Sequence, residues 1–161
     1  MRSLPRLVFL YIAVLAIGVL CALGVTLDML PRSPRDIGLL AAFALCVCLS
    51  DLFPIELPYW GNAEITISGA VKTASALLFG PAAALWIACF GTLLAEIIMR
   101  RQWHKMIFNT AQMTLTFGAM AWIYQRFSNG TIGPFASIQN FSALLLILLT
   151  YYVLNLSLLH I

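Results

Sequence analysis

The sequence predicts an all-α integral membrane protein, a bundle of about six transmembrane helices. Of its 161 residues, 62% are hydrophobic and 9% are charged, whereas a soluble domain has about a quarter of its residues charged. The apolar residues also fall into runs of transmembrane length, since about 20 residues cross the hydrocarbon core as a helix. A surface with so little charge requires lipid around it, so the lipid bilayer is the first expected partner.

Prolines, glycines and charged residues divide the chain into six apolar runs. The predicted spans are 7–27, 37–53, 65–79, 81–99, 106–124 and 141–161. The third run is short at about 15 residues, carries Lys72 and begins with alternating residues 65–68. It is predicted to be a short helix or a partly re-entrant segment. Gly80–Pro81 then turns the chain into the fourth span, because proline is favoured in the first turn of a helix.

Residues 1–161 are predicted to form a single transmembrane domain. Arg2 and Arg6 precede the first apolar run, which is too long for a signal peptide and has no Ala-x-Ala site after it, so it is predicted to remain as an uncleaved helix. The last run ends at Ile161 without a polar tail. Such an ending is expected of the N-terminal part of a longer chain, because terminal charges need water.

Lysines and arginines in the loops predict the orientation. With a cytoplasmic N-terminus, the cytoplasmic side holds Arg2, Arg6, Arg100, Arg101 and Lys105. The opposite side then holds Arg32, Arg35 and Arg126. The basic loop of Arg100, Arg101 and Lys105 is therefore predicted to determine the topology of a multi-pass protein of the bacterial cytoplasmic (inner) membrane.

Small residues recur along the fourth predicted span at spacings of three and four. They are Gly80, Ala84, Ala88, Gly91 and Ala95. Such a stripe allows a neighbouring helix to approach closely. It is predicted to be a helix-packing face, used either within the chain or for contact with another membrane subunit.

Polar side chains inside the spans are the candidate functional residues, because charge in a bilayer is costly. The predicted ligand-binding residues are Lys72, Glu96, Asn109, Gln112 and Thr116. Lys72 either extends its amine to the membrane surface or forms a buried pair with Asp51 or Glu96. Glu96 alternatively pairs with Arg100, one helical turn later.

Asn109, Gln112 and Thr116 lie at spacings of three and four on one face of the fifth span. Lipid cannot satisfy amides, so this face is expected to contact protein or a polar cavity. Hydrogen bonds between helices and the lining of a small polar ligand site are the two alternatives.

The sequence contains no recognisable catalytic constellation. His104 and His160 have no acid and nucleophile arranged around them. The four cysteines lie in apolar runs without zinc-binding spacing. We therefore predict no enzyme activity, no metal and no cofactor, and the lack of a basic face predicts no nucleic-acid partner.

Residues 77–81 (Leu-Leu-Phe-Gly-Pro), the Arg/Lys loop after the next span, and residues 108–112 (Phe-Asn-Thr-Ala-Gln) carry a family resemblance. The chain resembles the bacterial multi-helix membrane sensor domains found N-terminal to HD-GYP or GGDEF cyclic-di-GMP enzymes. Those domains are similar in turn to the S components of ECF vitamin transporters. The resemblance covers residues 65–124 and implies a cytoplasmic C-terminus leading to an output domain, although no HD or GGDEF segment is present.

Three functional hypotheses follow. The first is a non-catalytic anchoring and sensory domain coupled to a C-terminal cytoplasmic output domain. The second is an S-component-like transporter subunit that binds a small polar ligand near Lys72, Asn109 and Gln112. The third is a structural or accessory subunit that contacts other subunits of a larger membrane complex.

Overall fold

The computed structural model describes residues 6–53, 55–56, 64–65, 67–128 and 137–159, which are mainly helical. The helices are α1 (Arg6–Thr26), α2 (Pro34–Leu52), α3 (Ser68–Ile98), α4 (Trp103–Phe127) and α5 (Ile138–Leu159). A 3₁₀ turn at Leu27–Met29 follows α1, and strands β1 (Ile55–Glu56) and β2 (Glu64–Ile65) form an antiparallel pair between α2 and α3. Arg2, His160 and Ile161 lie outside the described residues.

The described helices agree with the predicted all-α membrane protein. By length and composition, two stretches can cross a membrane, Arg6–Met29 and Ser68–Ile98, and a shorter apolar helical stretch covers Ile138–Leu154. Five helices in the described part of the chain correspond to the six predicted spans, because the third and fourth spans join in α3. The predicted count of six is therefore not confirmed.

A kink divides α3 where the sequence predicted a turn. Gly80 has φ 79° and ψ −176°, a backbone conformation that favours glycine, and Pro81 follows it. The kink separates residues 68–79 from residues 81–98. The first segment is about 18 Å long, which is shorter than the roughly 30 Å hydrocarbon core of a bilayer.

The first segment of α3 runs antiparallel to α2. Lys72 contacts Asp51 near the end of α2, whereas Phe79 packs edge-to-face on Phe43, with ring centroids 5.0 Å apart. Phe79 comes after Lys72 in α3, but its partner Phe43 comes before Asp51 in α2. The two helices therefore form a hairpin, and the Phe43–Phe79 contact buries apolar side chains within it.

The second segment of α3 runs parallel to α2. Leu40 and Ala83 line one cavity, and Val47 lies directly against Gly91. The chain therefore reverses at Gly80. In a continuous helix Lys72 and Glu96 would be about 36 Å apart, whereas in the structure their charges are close enough to interact.

Four of the five residues of the predicted small-residue face lie inside the molecule, whereas Gly80 is partly exposed at the kink. Ala84, Ala88 and Ala95 are buried, as is Gly91. Gly91 faces α2, and Ala84 packs with Ala121 of α4. The stripe therefore brings the backbones of α2, α3 and α4 close together, which larger side chains would prevent.

Helix α1 packs parallel to α4, through Phe9 on Trp103 and Tyr11 on Phe108. The start of α1, the end of α2, both ends of α3 and the start of α4 consequently lie at one end of the bundle. We call this the basic end, because it carries Arg6, Arg100, Arg101 and Lys105.

Helix α5 packs antiparallel to α4. The Gln139 side-chain amide donates a 3.0 Å hydrogen bond to the carbonyl of Phe127 at the end of α4. Tyr151, near the other end of α5, packs on Phe117 with ring centroids 5.6 Å apart. Ala143 and Ile147 lie between these contacts in the buried core formed by α4 and α5.

Arg100 closes α3 in a conformation that usually belongs to glycine. Its φ is 53°, in the left-handed region. The Arg101 amide donates to the Glu96 carbonyl at 3.2 Å and the Arg100 amide donates to the Ile97 carbonyl at 3.1 Å. This pair of bonds is the Schellman motif, in which the left-handed residue is most often glycine.

We expect the substitution Arg100→Gly to stabilise the protein by about 0.5–1 kcal/mol, because it removes the left-handed strain of a residue with a Cβ. Thermal unfolding in mild detergent measures the change. The matched control is Arg35→Gly in α2, which has no positive φ and should lose about 1 kcal/mol of helix propensity. Equal destabilisation by both substitutions would contradict the assigned strain.

Candidate functional site

Polar side chains of α2, α3 and α4 lie together at the basic end. They either touch one another or lie one helical turn apart on facing surfaces. We call this set the polar cluster, and its members are Asp51, Ser68, Lys72, Thr92, Glu96, Asn109, Gln112 and Thr116. It includes all five side chains that the sequence predicted as ligand-binding residues.

Lys72 is almost fully buried, with 2% of its side chain exposed. Its Nζ lies 3.0 Å from Asp51 Oδ2 and donates to Ser68 Oγ at 3.2 Å. The Phe117 ring centroid is 6.0 Å from the same nitrogen. A buried ammonium requires such partners, so of the predicted alternatives the structure has the buried pair with Asp51.

Glu96 is also buried and joins α3 to α4. Asn109 Nδ2 donates a hydrogen bond to Glu96 Oε1, and Arg101 Nε lies 3.6 Å from Glu96 Oε2. The predicted pairing of Glu96 with Arg100 is wrong, because the helix ends before Arg100, whose left-handed backbone places Arg101 next to the carboxylate. Since Arg101 is 45% exposed, this ion pair connects the buried cluster with the surface.

The predicted polar face of α4 points toward α3. Asn109 bonds to Glu96, and Gln112 and Thr116 follow on the same helical face with 2% and 1% of their surfaces exposed. Thr92 lies one turn before Glu96 on α3 and is equally buried. Among the described residues, the hydroxyls of Thr92 and Thr116 have no hydrogen-bond partner.

Such hydroxyls are informative because buried polar atoms are normally hydrogen-bonded. An unsatisfied buried group costs about 1–3 kcal/mol, and a ligand with matching donors and acceptors would remove that cost. The two threonines therefore leave hydrogen-bonding groups in the polar cluster that the described protein atoms do not satisfy. Thr110 of α4 also has an unsatisfied hydroxyl.

The charges of the polar cluster compensate one another. Lys72 is paired with Asp51, and Glu96 is paired with Arg101. Across the residues that the structure describes, no group of three or more His, Cys, Asp or Glu side chains could hold a metal ion. The arrangement is suited to hydrogen bonding with an uncharged polar molecule.

The sequence pattern did not identify Ser68 and Phe117, the further neighbours of the Lys72 amine. Ser68 could have been found from its spacing of four residues before Lys72, which places both on one helical face. Phe117 carries no such signal, since an aromatic residue in an apolar run usually belongs to a core. Its position became evident only from the packing of α4 on α3.

A cavity of about 740 Å³ lies between α2 and the second segment of α3. Apolar side chains line it, among them Leu40, Trp86 and Phe90. It contains none of the five predicted ligand-binding residues, so its size does not make it the better candidate for a polar ligand.

Comparison with known proteins identifies a related family. The family model described as "ECF-type riboflavin transporter, S component" matches residues 33–160, which include α2 to α5 and leave out α1. No curated protein and no solved structure matches significantly. The match supports the S-component part of the resemblance, and the comparisons give no support to a sensor domain of cyclic-di-GMP enzymes. A transporter subunit is also consistent with the prediction of no enzyme activity.

Proposed function

Because the chain belongs to the family of ECF-type riboflavin transporter S components, we propose that it is the solute-binding subunit of a membrane transporter. The observation that carries this proposal is the polar cluster, which lies entirely within the matched residues and contains buried hydroxyls without partners. The family match favours this function over the sensory domain, which was the first hypothesis from the sequence.

The proposed ligand is riboflavin or a neutral molecule with a similar set of hydrogen-bonding groups. Asn109, Gln112 and Thr116 would present these groups from α4, and Thr92 would do so from α3. Lys72 and Glu96 would act mainly by positioning the helices, because their charges are already paired with Asp51 and Arg101. An uncharged ligand fits a cluster whose charges compensate, since a charged one would leave a buried ion without a partner.

The proposed location is the bacterial cytoplasmic membrane, crossed several times, with the N-terminus in the cytoplasm. The packing of Phe9 on Trp103 supports this orientation. It puts Arg6 at the same end as Arg100, Arg101 and Lys105, as the preference of cytoplasmic loops for basic residues requires. The proposed partners are the other membrane subunits of an ECF transporter, with which S components work.

Uptake and ligand retention test the proposal together. We expect cells that produce the chain with ECF transporter partner subunits to accumulate riboflavin, and mass spectrometry of the mildly purified chain to detect it. Thr116→Val should reduce both signals, because it removes one hydrogen-bonding group without changing the side-chain shape. Thr150→Val is the matched control, since Thr150 is partly exposed on α5 and donates its hydroxyl hydrogen bond to Leu146 of the same helix.

The two substitutions also distinguish a binding role from a structural role. Thr116→Val should leave the unliganded fold as stable as before or slightly more stable, because it removes an unsatisfied buried hydroxyl. A folded, membrane-inserted chain with neither retained riboflavin nor uptake would refute the transporter proposal for this ligand.

A further inference from the structure

Three cations meet at the basic end on two different helices and one turn. Arg6 begins α1, Arg100 lies in the α3–α4 turn and Lys105 lies in the first turn of α4. The contact between Phe9 and Trp103, with ring centroids 6.3 Å apart, holds the start of α1 against the start of α4. Residues far apart in sequence thereby contribute to one positively charged surface.

The nearby acids of the polar cluster do not neutralise these cations. Asp51 and Glu96 are paired with Lys72 and Arg101. Arg6, Arg100 and Lys105 take part in none of the ion pairs found in the described part of the chain.

Exposed aromatic rings lie among the cations. Trp103 is 53% exposed and Phe9 is 54% exposed, and the Trp103 ring also packs edge-to-face on His104 at 5.7 Å. Tryptophan is enriched at the level of the lipid headgroups, where its apolar ring and its N–H group are both satisfied. Cations beside Trp103 would therefore lie at the depth of lipid phosphates.

The backbone at Arg100 gives a second, independent indication that the cations of this surface have a function. Glycine is favoured in the left-handed position of a Schellman motif, yet this position holds an exposed arginine at φ 53°. A strained residue can persist where its side chain has a function. Arginine binds phosphate oxygens with two parallel hydrogen bonds, which no smaller residue provides.

We propose that Arg6, Arg100 and Lys105, together with Trp103, form a binding surface for the phosphate headgroup of an anionic phospholipid such as phosphatidylglycerol. Helix α1 contributes Arg6 and Phe9 although it lies outside the residues matched by the family. The surface therefore gives a role to α1, which contributes no residue to the proposed solute site. The lipid-binding proposal does not depend on the identity of the solute.

Quenching of Trp103 fluorescence by brominated lipids tests the proposal with the full chain in phosphatidylcholine nanodiscs. Brominated phosphatidylglycerol and brominated phosphatidylcholine are compared, and a Trp103→Phe chain isolates the Trp103 signal from the other tryptophans. We expect a preference for phosphatidylglycerol of about tenfold or more at low salt, since each cation near the surface contributes about fivefold. The preference should decrease with salt.

The double variant Arg100→Gln/Lys105→Gln should reduce this preference to about fivefold or less, because Arg6 is then the one cation of the surface that remains. Arg32→Gln/Arg35→Gln is the matched control, because it removes two exposed arginines at the opposite end, one before α2 and one in its first turn, and it should leave Trp103 quenching unchanged. Unfolding temperatures of all variants confirm that each is folded, and native mass spectrometry counts retained phosphatidylglycerol as a second measurement.

Equal quenching by the two lipids in the wild-type chain would overturn the proposal. A loss of preference that is the same in both double variants would also overturn it, because the effect would then follow overall charge rather than this surface. Displacement of the lipid by soluble glycerol phosphate at equal concentration would assign the surface to free phosphate esters and reject the lipid.

Discussion

Replacing Lys72 by methionine is expected to destabilise the protein by about 3–5 kcal/mol, because it leaves the Asp51 carboxylate without its cation. Asp51 has only 12% of its side chain exposed, so water cannot fully replace the lost ammonium. The Ser68 hydroxyl loses a partner as well. Loss of helix packing at the α2–α3 hairpin should also weaken retention of the proposed ligand.

Chemical unfolding in mild detergent measures this effect, with Lys105→Met as the control. Lys105 is the only other lysine in the chain and is exposed, so its replacement should change stability by less than about 0.5 kcal/mol. Adding Asp51→Asn to Lys72→Met should recover much of the loss, since no charge is then left buried. A Lys72→Met chain as stable as the Lys105→Met chain would show that the buried pair contributes nothing.

Replacing Gly91 by alanine is expected to destabilise the protein by about 1–2 kcal/mol, although alanine favours helices by about 1 kcal/mol over glycine. A Cβ at this position would lie 2.6 Å from Val47 Cβ and 2.8 Å from the Ala44 carbonyl oxygen. The carbonyl belongs to the backbone of α2, so the clash can be relieved only by moving the helices apart.

Gly38→Ala in α2 is the matched control for this substitution. A Cβ at Gly38 meets no atom within 4 Å, and the variant should therefore gain about 0.5–1 kcal/mol from helix propensity. The two substitutions are expected to move the thermal unfolding temperature in opposite directions. An increase in both would mean that α2 and α3 are not as closely packed as the structure has them.

Much of the architecture could be predicted because apolar runs identify membrane helices directly. The predicted ends of α2 and α4 differ from the observed ends by one to three residues, since a helix can begin before the apolar run that is suited to the bilayer. The run 106–124 corresponds to α4 at Trp103–Phe127, and the run 37–53 corresponds to α2 at Pro34–Leu52. Pro34 begins α2 because proline fits the first helical turn.

The ion-pair partners of Lys72 and Glu96 could not be predicted, because spacing along one helix does not show which residues of other segments lie nearby. Asp51 and Glu96 were equal candidates for Lys72, and the reversal of the chain at Gly80 decides for Asp51 by placing the first segment of α3 antiparallel to α2. The spacing of four residues favoured Arg100 for Glu96, but it applies only within a continuing helix. The left-handed turn at Arg100 ends that helix and brings Arg101 to the carboxylate instead.

The face of Asn109, Gln112 and Thr116 could be predicted because three polar side chains at helical spacing must avoid lipid. The surface that packs against this face could not be predicted, since that surface depends on which face of α3 contacts α4. The contact of Asn109 with Glu96 fixes that register and brings Thr92 into the polar cluster.

Equilibrium titration of the purified, delipidated chain with riboflavin tests most directly the proposal that the polar cluster is a solute site. Flavin fluorescence reports binding, and Thr116→Val and Thr150→Val chains are titrated in parallel. We predict saturable binding of one riboflavin per chain, weakened by about threefold to tenfold in Thr116→Val, as expected for one lost hydrogen bond, and unchanged in Thr150→Val. The absence of saturable binding by the folded wild-type chain, or equal affinity in all three chains, would contradict the proposed site.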